Sequence, residues 1–223
     1  MSDTGAWTAV GVTACVLVFH EALLMVLQWR RPERLARARH ANLREDWFVA
    51  VSRQKGSEVL AVQALRNSMM SATMLASTAA LALTGSVTLV TPSLHAAFGT
   101  VQGTPTLDAR LVLELMLLAL LCASLVSAVM AVRFYSHAAF IGGMPVDSDT
   151  RTRWSKAGVR YVRRAGILYG VGLRQLVLVV PVVAAIVLPA AGPIAAIGVV
   201  GVLHRFDRIG DDAVQAGGVR QTT

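Results

Sequence analysis

The hydrophobic pattern of the chain consists of long uninterrupted runs. Apolar residues dominate from Trp7 to Gln28, Ser68 to Thr91, Leu111 to Val132 and Leu173 to about Leu203. A helix rises about 1.5 Å per residue, so about 20 residues cross the ~30 Å hydrocarbon layer of a bilayer. Each run meets that length, and the pattern predicts four transmembrane helices.

Between the runs the periodicity changes. Leu43, Trp47 and Val51 recur at helical spacing within 42–52, with Arg44, Glu45, Asp46 and Arg53 elsewhere on the wheel, which predicts a short amphipathic helix. Pro32 breaks the chain before it and Gly56 after it, and the pattern Val59, Val62, Leu65 leads into the second run. GGMPVDSDT at 142–150 is turn chemistry. A second amphipathic helix follows, with Trp154, Gly158, Tyr161, Ala165 and Leu168 on one face and Arg153, Lys156, Arg160, Arg163 and Arg164 on the rest. The expected fold class is an all-α membrane protein: four transmembrane helices with two cytoplasmic amphipathic helices lying at the interface. Pro181, Pro189 and Gly192-Pro193 interrupt the last run, which reads as one kinked crossing; the alternative is a span ending near Pro189 followed by a shorter membrane-dipping piece. One membrane domain over 1–209 and a mobile tail over 210–223 complete the expected organisation.

Charge orients the spans. Residues 1–29 and 92–109 carry no Lys or Arg, whereas 30–66 and 133–164 hold most of them. Basic loops are retained on the cytoplasmic side, so the N-terminus and the 92–109 loop are expected outside. A cleavable signal peptide fits poorly, because positive charge follows the first run at Arg30 and Arg31 and none precedes it. Trp7 and Trp29 are the expected interfacial anchors of a retained helix. The net charge of +8 and pI near 10.7 are then a requirement of topology and of contact with anionic lipid, and nucleic acid is not an expected partner. Arginine outnumbers lysine amid abundant Ala and Val, as in a GC-rich bacterial genome, and an inner (plasma) membrane location is expected.

Cys15 and Cys122 fall inside apolar runs, and His20, His40, His95, His137 and His204 form no metal-ligand pair, so no metal or other cofactor is expected. Small residues recur every fourth position as Ser68, Ala72, Ala76, Ala80, Thr84 and Thr88, and as Ala119, Ala123, Ser127 and Ala131. Such stripes permit close helix packing, the preferred reading; a hydroxyl-lined path through Ser71, Thr78 and Thr88 is the other. Glu21 lies two turns inside Trp29, and Arg174 is its expected partner, as an interhelical ion pair or, alternatively, a proton or ion relay. Glu114 lies one turn from Arg110. Asn42, Arg44, Trp47, Arg66, Asn67, Arg133 and His137 gather, with Gln63 and Tyr135, where the spans meet the basic loops. They form a candidate site for an anion or lipid headgroup; ordinary topological anchoring is the plainer reading.

NLREDW at 42–47, QALRNSMMSATMLASTA at 63–79, RFYSHAAFI at 133–141, GLRQLVLVVP at 172–181 and Gly192-Pro193 resemble the domain of unknown function 599 family of bacterial and plant membrane proteins. LRNS at the start of the second span and ASTA within it are the most specific part, and the likeness extends to about Arg205. It implies four spans and carries no reaction or ligand. The leading expectation is a small transport or channel protein binding an anionic group at its cytoplasmic face. Its expected partners are anionic membrane lipids and a homo-oligomer or membrane complex. The alternative is a non-catalytic scaffold or accessory subunit. An enzyme is the third reading, with no nucleophile-base pair, HExxH or phosphate loop behind it.

Overall fold

The computed structural model describes residues 3–30, 36–98 and 108–218, with side chains over 4–23, 26, 42–98 and 108–205. Those residues form six helices: α1 (Asp3–Arg30), α2 (Ala36–Arg53), α3 (Glu58–Phe98), α4 (Ala109–Gly142), α5 (Asp149–Val187) and α6 (Ala191–Gly218). Four stretches are long and apolar enough to cross a bilayer: Thr4–Leu23, Glu58–Phe98, Ala109–Gly142 and Asp149–Val187. The break expected at Pro32 and the side chain of Trp29 lie outside the described residues. So do the side chains of the expected tail, over which α6 continues to Gly218.

Two boundaries differ from the sequence pattern. Helix α3 runs through Pro92 to Phe98, where the apolar run stops at Thr91. Proline is tolerated in membrane helices, and Pro92, which lacks an amide hydrogen, leaves the Thr88 carbonyl without its helical donor; the helix continues for six more residues. The second amphipathic segment is not a separate helix but the first half of α5, continuous with the apolar residues after it. The run from Leu173 to Leu203 is correspondingly not one kinked helix. It breaks after Val187, and the apolar part of α6, Ala191–Arg205, is shorter than the four spans. Proline at 189 disfavours helical geometry at Leu188 and supplies no amide hydrogen, and the turn closes through Ala191 N–H to Leu188 O at 2.8 Å.

The chain divides into two compact units. The first comprises residues 1–36, 81–122 and 175–223. Its core is Val10 and Leu17 of α1, Leu113, Leu117 and Leu121 of α4, Leu178 and Val182 of α5 and Ala196 of α6. Here α6 packs on α1. Gly192 makes the close approach possible, since a Cβ there would fall 2.6 Å from both Ala185 Cβ and Thr13 Oγ1. Glu114 is buried and accepts from Arg110 Nε at 2.8 Å, as their spacing of one helical turn predicts.

The second unit comprises residues 37–80 and 123–174. Its core takes Phe48 from α2, Leu65 and Ala72 from α3, Ala131, Tyr135, Ala138 and Ile141 from α4, and Val162 and Ala165 from α5. The inward face of α2 is Phe48 and Val51 with half-buried Arg44: Val51 is buried as expected, Arg44 and Phe48 replace the expected Leu43 and Trp47, and Leu43 is 66% exposed. Phe48 seats its ring against Gly158, where a Cβ would fall 2.7 Å from the ring. A Glu45–Arg163 ion pair at 3.3 Å ties α2 to α5.

The small-residue stripes are also displaced. Ala72 and Ala131 are fully buried, but Thr84, Thr88, Ala119 and Ala123 are exposed; the packed positions of α4 in this unit are Ser124, Ala128, Ala131, Tyr135 and Ala138. A spacing of four drifts around a helix of 3.6 residues per turn, so a long i+4 stripe leaves any one contact face. Where α4 meets α5, Ser124 Oγ donates to Gly172 O at 2.8 Å, and a Cβ on Gly172 would lie 3.1 Å from Ser124 O and 3.3 Å from Leu75 Cδ2.

Two connections close this unit. Gly56 (φ 82°) ends the α2–α3 turn, and the buried Ser57 hydroxyl lies 2.6 Å from both the Val51 and Gln54 carbonyls. Ser148 caps α5 by accepting from Arg151 N–H at 3.2 Å. Arg151, only 3% exposed, donates through Nη1 to Gly142 O at 2.9 Å and to Met144 O, closing the end of α4. Glu58 joins the turns by accepting from Val146 N–H at 3.3 Å. Lys55 and Asp147 pair at 2.6 Å in full exposure. Asp147's hydrogen bond and then its charge raise the Lys55 pKa above the ordinary lysine value. That small contribution is therefore intact at neutral pH and is lost only as alkaline pH passes through the raised pKa.

Two outcomes test this packing. Ala72→Leu and Ala128→Leu each overfill a closed face and should cost about 1–3 kcal/mol, while Ala123→Leu should leave the thermal midpoint in detergent within about a degree of wild type. Arg151→Met strands two carbonyls and should cost about 2 kcal/mol in the same melt; Arg151→Lys should recover only part, because the lysine nitrogen stops one bond short of the Nη1 position that serves both carbonyls.

Candidate anion-binding groove

In the second unit α3 and α4 pack antiparallel, with Val62 against Gly143 and Leu65 against Gly142; a Cβ built on each glycine would fall 3.2 Å and 3.5 Å from them. Beside this seam lies an open groove of about 620 Å³. Val62, Arg66 and Met69 form one wall, Ser136, Ala139, Phe140 and Gly143 the other, and Met144 and Pro145 the end. Apart from Arg66 and Ser136 its lining is apolar, a composition typical of small-molecule sites, whose volumes run from about 300 to 1,000 Å³.

Arg66 stands out chemically. Helical spacing sets Val59, Val62, Arg66 and Met70 on one stripe of α3, and Val59 and Met70 are 67% and 55% exposed. Across the groove Phe140 is 71% exposed. Arg66 is itself exposed, and no hydrogen bond or ion pair joins it to another described residue. A guanidinium offers five donors in a planar fork suited to carboxylate or phosphate.

The other expected site residues divide into groups. With Val62 opposite Gly143, Arg66 is level with Ala139, whereas Arg133 is level with Ala72, about 9 Å farther along the helix. Arg133 nonetheless continues the stripe of Ser136 and Phe140 and remains exposed. His137 turns to the other side of α4, where its ring lies 5.7 Å from that of Tyr161, which also stacks on Phe134 at 5.8 Å. Asn67 is exposed and, by helical spacing, points away from the buried stripe of Ala61, Leu65 and Ala72. Asn42 is exposed on α2, and Trp47 is half-buried with its ring tilted on Phe48 at 6.5 Å.

Arg44 is drawn inward. Its guanidinium fills the space at Gly166, where a Cβ would fall 2.0 Å from Nη1, and its charge acts on buried Tyr135. Of the seven expected anion-site residues, only Arg66 lines the groove. Sequence reading missed Ser136, Ala139, Phe140, Met144 and Pro145, because apolar walls facing each other across two helices leave no local signature.

Glu21 and Arg174 belong to different units, and each is described within its own. Glu21 Oε2 accepts from Gln175 Nε2 at 3.2 Å, a partner the sequence reading passed over, and Arg174 is buried. The hydroxyls proposed for a polar path bond their own helix: Ser71 to Asn67 O, Thr78 to Met74 O and Thr88 to Thr84 O, all at exposed positions. Among the described residues no three His, Cys, Asp or Glu side chains gather as a metal site.

Compared with known proteins, the chain matches no curated protein and no solved structure. Residues 8–211 match the family described as "Protein of unknown function, DUF599", and that range takes in α2 to α5, most of α1 and α6, and the whole groove. Four span-length helices carried on this match make the chain a member of the DUF599 family, with a fold suited to a membrane.

Proposed function

We propose that this is an integral protein of a bacterial inner (plasma) membrane that binds an anionic group at its arginine-rich, cytoplasmic face, with Arg66 as the binding cation. The observation that carries this reading is the position of Arg66, an exposed guanidinium at an apolar groove between apolar neighbours. A charge on an apolar, membrane-facing surface is costly and draws an opposite charge to it. The start of α1, the end of α3 and the start of α4 then lie outside. Exposed Leu43 and Trp154, beside Arg153 and Lys156, support immersion of α2 and the start of α5 in the headgroup layer. Carriage of the bound anion across the membrane is the activity this site would serve.

A second reading is an accessory subunit or homo-oligomer. It is favoured by Ala119 and Ala123 on α4, which are exposed and small enough to admit a helix of another chain.

Two measurements test the proposal. Single cysteines at Gln54 and Thr150 should label only after permeabilisation, and one at Asp108 should label in intact cells, once the native Cys15 and Cys122 are replaced. Labelling of Gln54 from outside would reverse the orientation. Mass spectrometry of small molecules released from the purified protein should find a phosphate- or carboxylate-bearing species with wild type and several-fold less with both Arg66→Ala and Arg66→Lys. If Arg66→Lys retains the wild-type amount, the residue serves topology alone.

A further inference from the structure

Resting on the reading of Arg66 as an anion site, we infer that the groove holds an anionic phospholipid from the bilayer, with its phosphate on Arg66 and one acyl chain along the apolar walls. A free anion uses only the cation and Ser136, and leaves the walls formed by Val62, Met69, Ala139 and Phe140 without a role. The space, about 620 Å³, is far larger than a phosphate needs, and most of its lining is apolar. An amphiphile uses both halves of the site.

The surroundings identify the source. Val59, Met70 and Phe140 flank the groove and are 55–71% exposed, so its rim is itself apolar. A ligand reaches such a mouth by sliding from lipid with its chain still covered, whereas a dissolved anion would have to shed water against hydrocarbon side chains. Phosphate suits the fork of Arg66, and the contact is stronger than at an open surface because apolar walls limit competing water. Choline or ethanolamine beyond the phosphate would add a cation close to Arg66, so a lipid with net negative charge is preferred.

The groove also discriminates between lipid at this position and the general lipid belt. Ala139 is a small residue in the wall opposite Arg66 and Met69, so a large side chain there would narrow the groove. Chain occupancy and charge preference therefore depend on different residues and separate by mutation.

The experiment uses the full chain in mixed micelles. Native mass spectrometry measures retention of phosphatidylglycerol and phosphatidylcholine with identical acyl chains, with glycerol phosphate as a chainless competitor. Wild type should retain phosphatidylglycerol over phosphatidylcholine by about fivefold or more, the scale of one arginine acting on an anionic headgroup. Arg66→Ala should bring that ratio close to one while both lipids stay bound. Ala139→Phe should release both, and Met69→Trp, which fills the groove from the opposite wall, gives the same reading if Ala139→Phe does not fold. Glycerol phosphate should not displace the lipid. If it displaces phosphatidylglycerol and the groove-filling variants have no effect, the acyl-chain inference fails and the anion site stands. If Arg66→Ala leaves the preference intact, the anion site fails and takes this inference with it. A protein found seated in the groove in place of lipid also overturns it.

Discussion

The second unit depends on a contact at Gly172. There α5 approaches α4 so closely that Ser124 donates to a backbone carbonyl of the neighbouring helix, and Leu75 of α3 closes the same point. In lipid, helices gain nothing from leaving water, so association rests on van der Waals contact and on polar groups that find partners across helices. Gly172 supplies both, since the absent side chain admits the helix and the carbonyl accepts the hydroxyl. From this point toward the arginine-rich end, Ala128, Ala131, Tyr135 and Ala138 of α4 continue the seam. With the seam so phased, Ser136 and Phe140 fall on its flank, facing Arg66. The groove thus follows from the phase of helix packing and needs no dedicated loop.

How much of this was legible in the sequence depended on the kind of signal. The spans were legible because length and apolarity are properties of one segment, and α3 and α4 contain their runs with extra turns at the ends. Facing was not, because Ala72 and Ala123 are equally small and only the partner helix decides which is buried. Leu43 was preferred to Arg44, and with it Trp47 to Phe48, because the wheel favours an apolar residue at its first position; Arg44 joins Phe48 on the inner face by filling the space over Gly166. Continuity of α5 was hidden by its arginine-rich first half, which looks like a separate surface helix until Gly158, Val162 and Ala165 are seen packed in the core. Arg66 was legible as a cation at a span boundary. That Arg133 is displaced along the axis, and that Asn67 turns away, required the register of two helices.

The charged groups of the second unit perform distinct tasks that composition merges into one basic balance. Arg151 is buried and closes the end of α4, Arg163 pairs with Glu45, and Lys55 pairs with Asp147 at the surface. Arg66 lacks such an assignment within the described protein, and its setting is apolar. The same residue type is therefore structural where it is enclosed and available where it is not, which explains why a count of arginines locates the membrane face without locating the site.

The contact of Arg44 with Gly166 links two distant sequence positions through a shared volume. The guanidinium occupies the place a methyl group would take, so neither position can drift alone. Across relatives that keep this packing, glycine at 166 should accompany arginine at 44, and alanine at 166 should arise together with a shorter residue at 44. The two positions would then vary as one character, a correlated trace in evolution of a side chain folded inward from a helix otherwise read as surface.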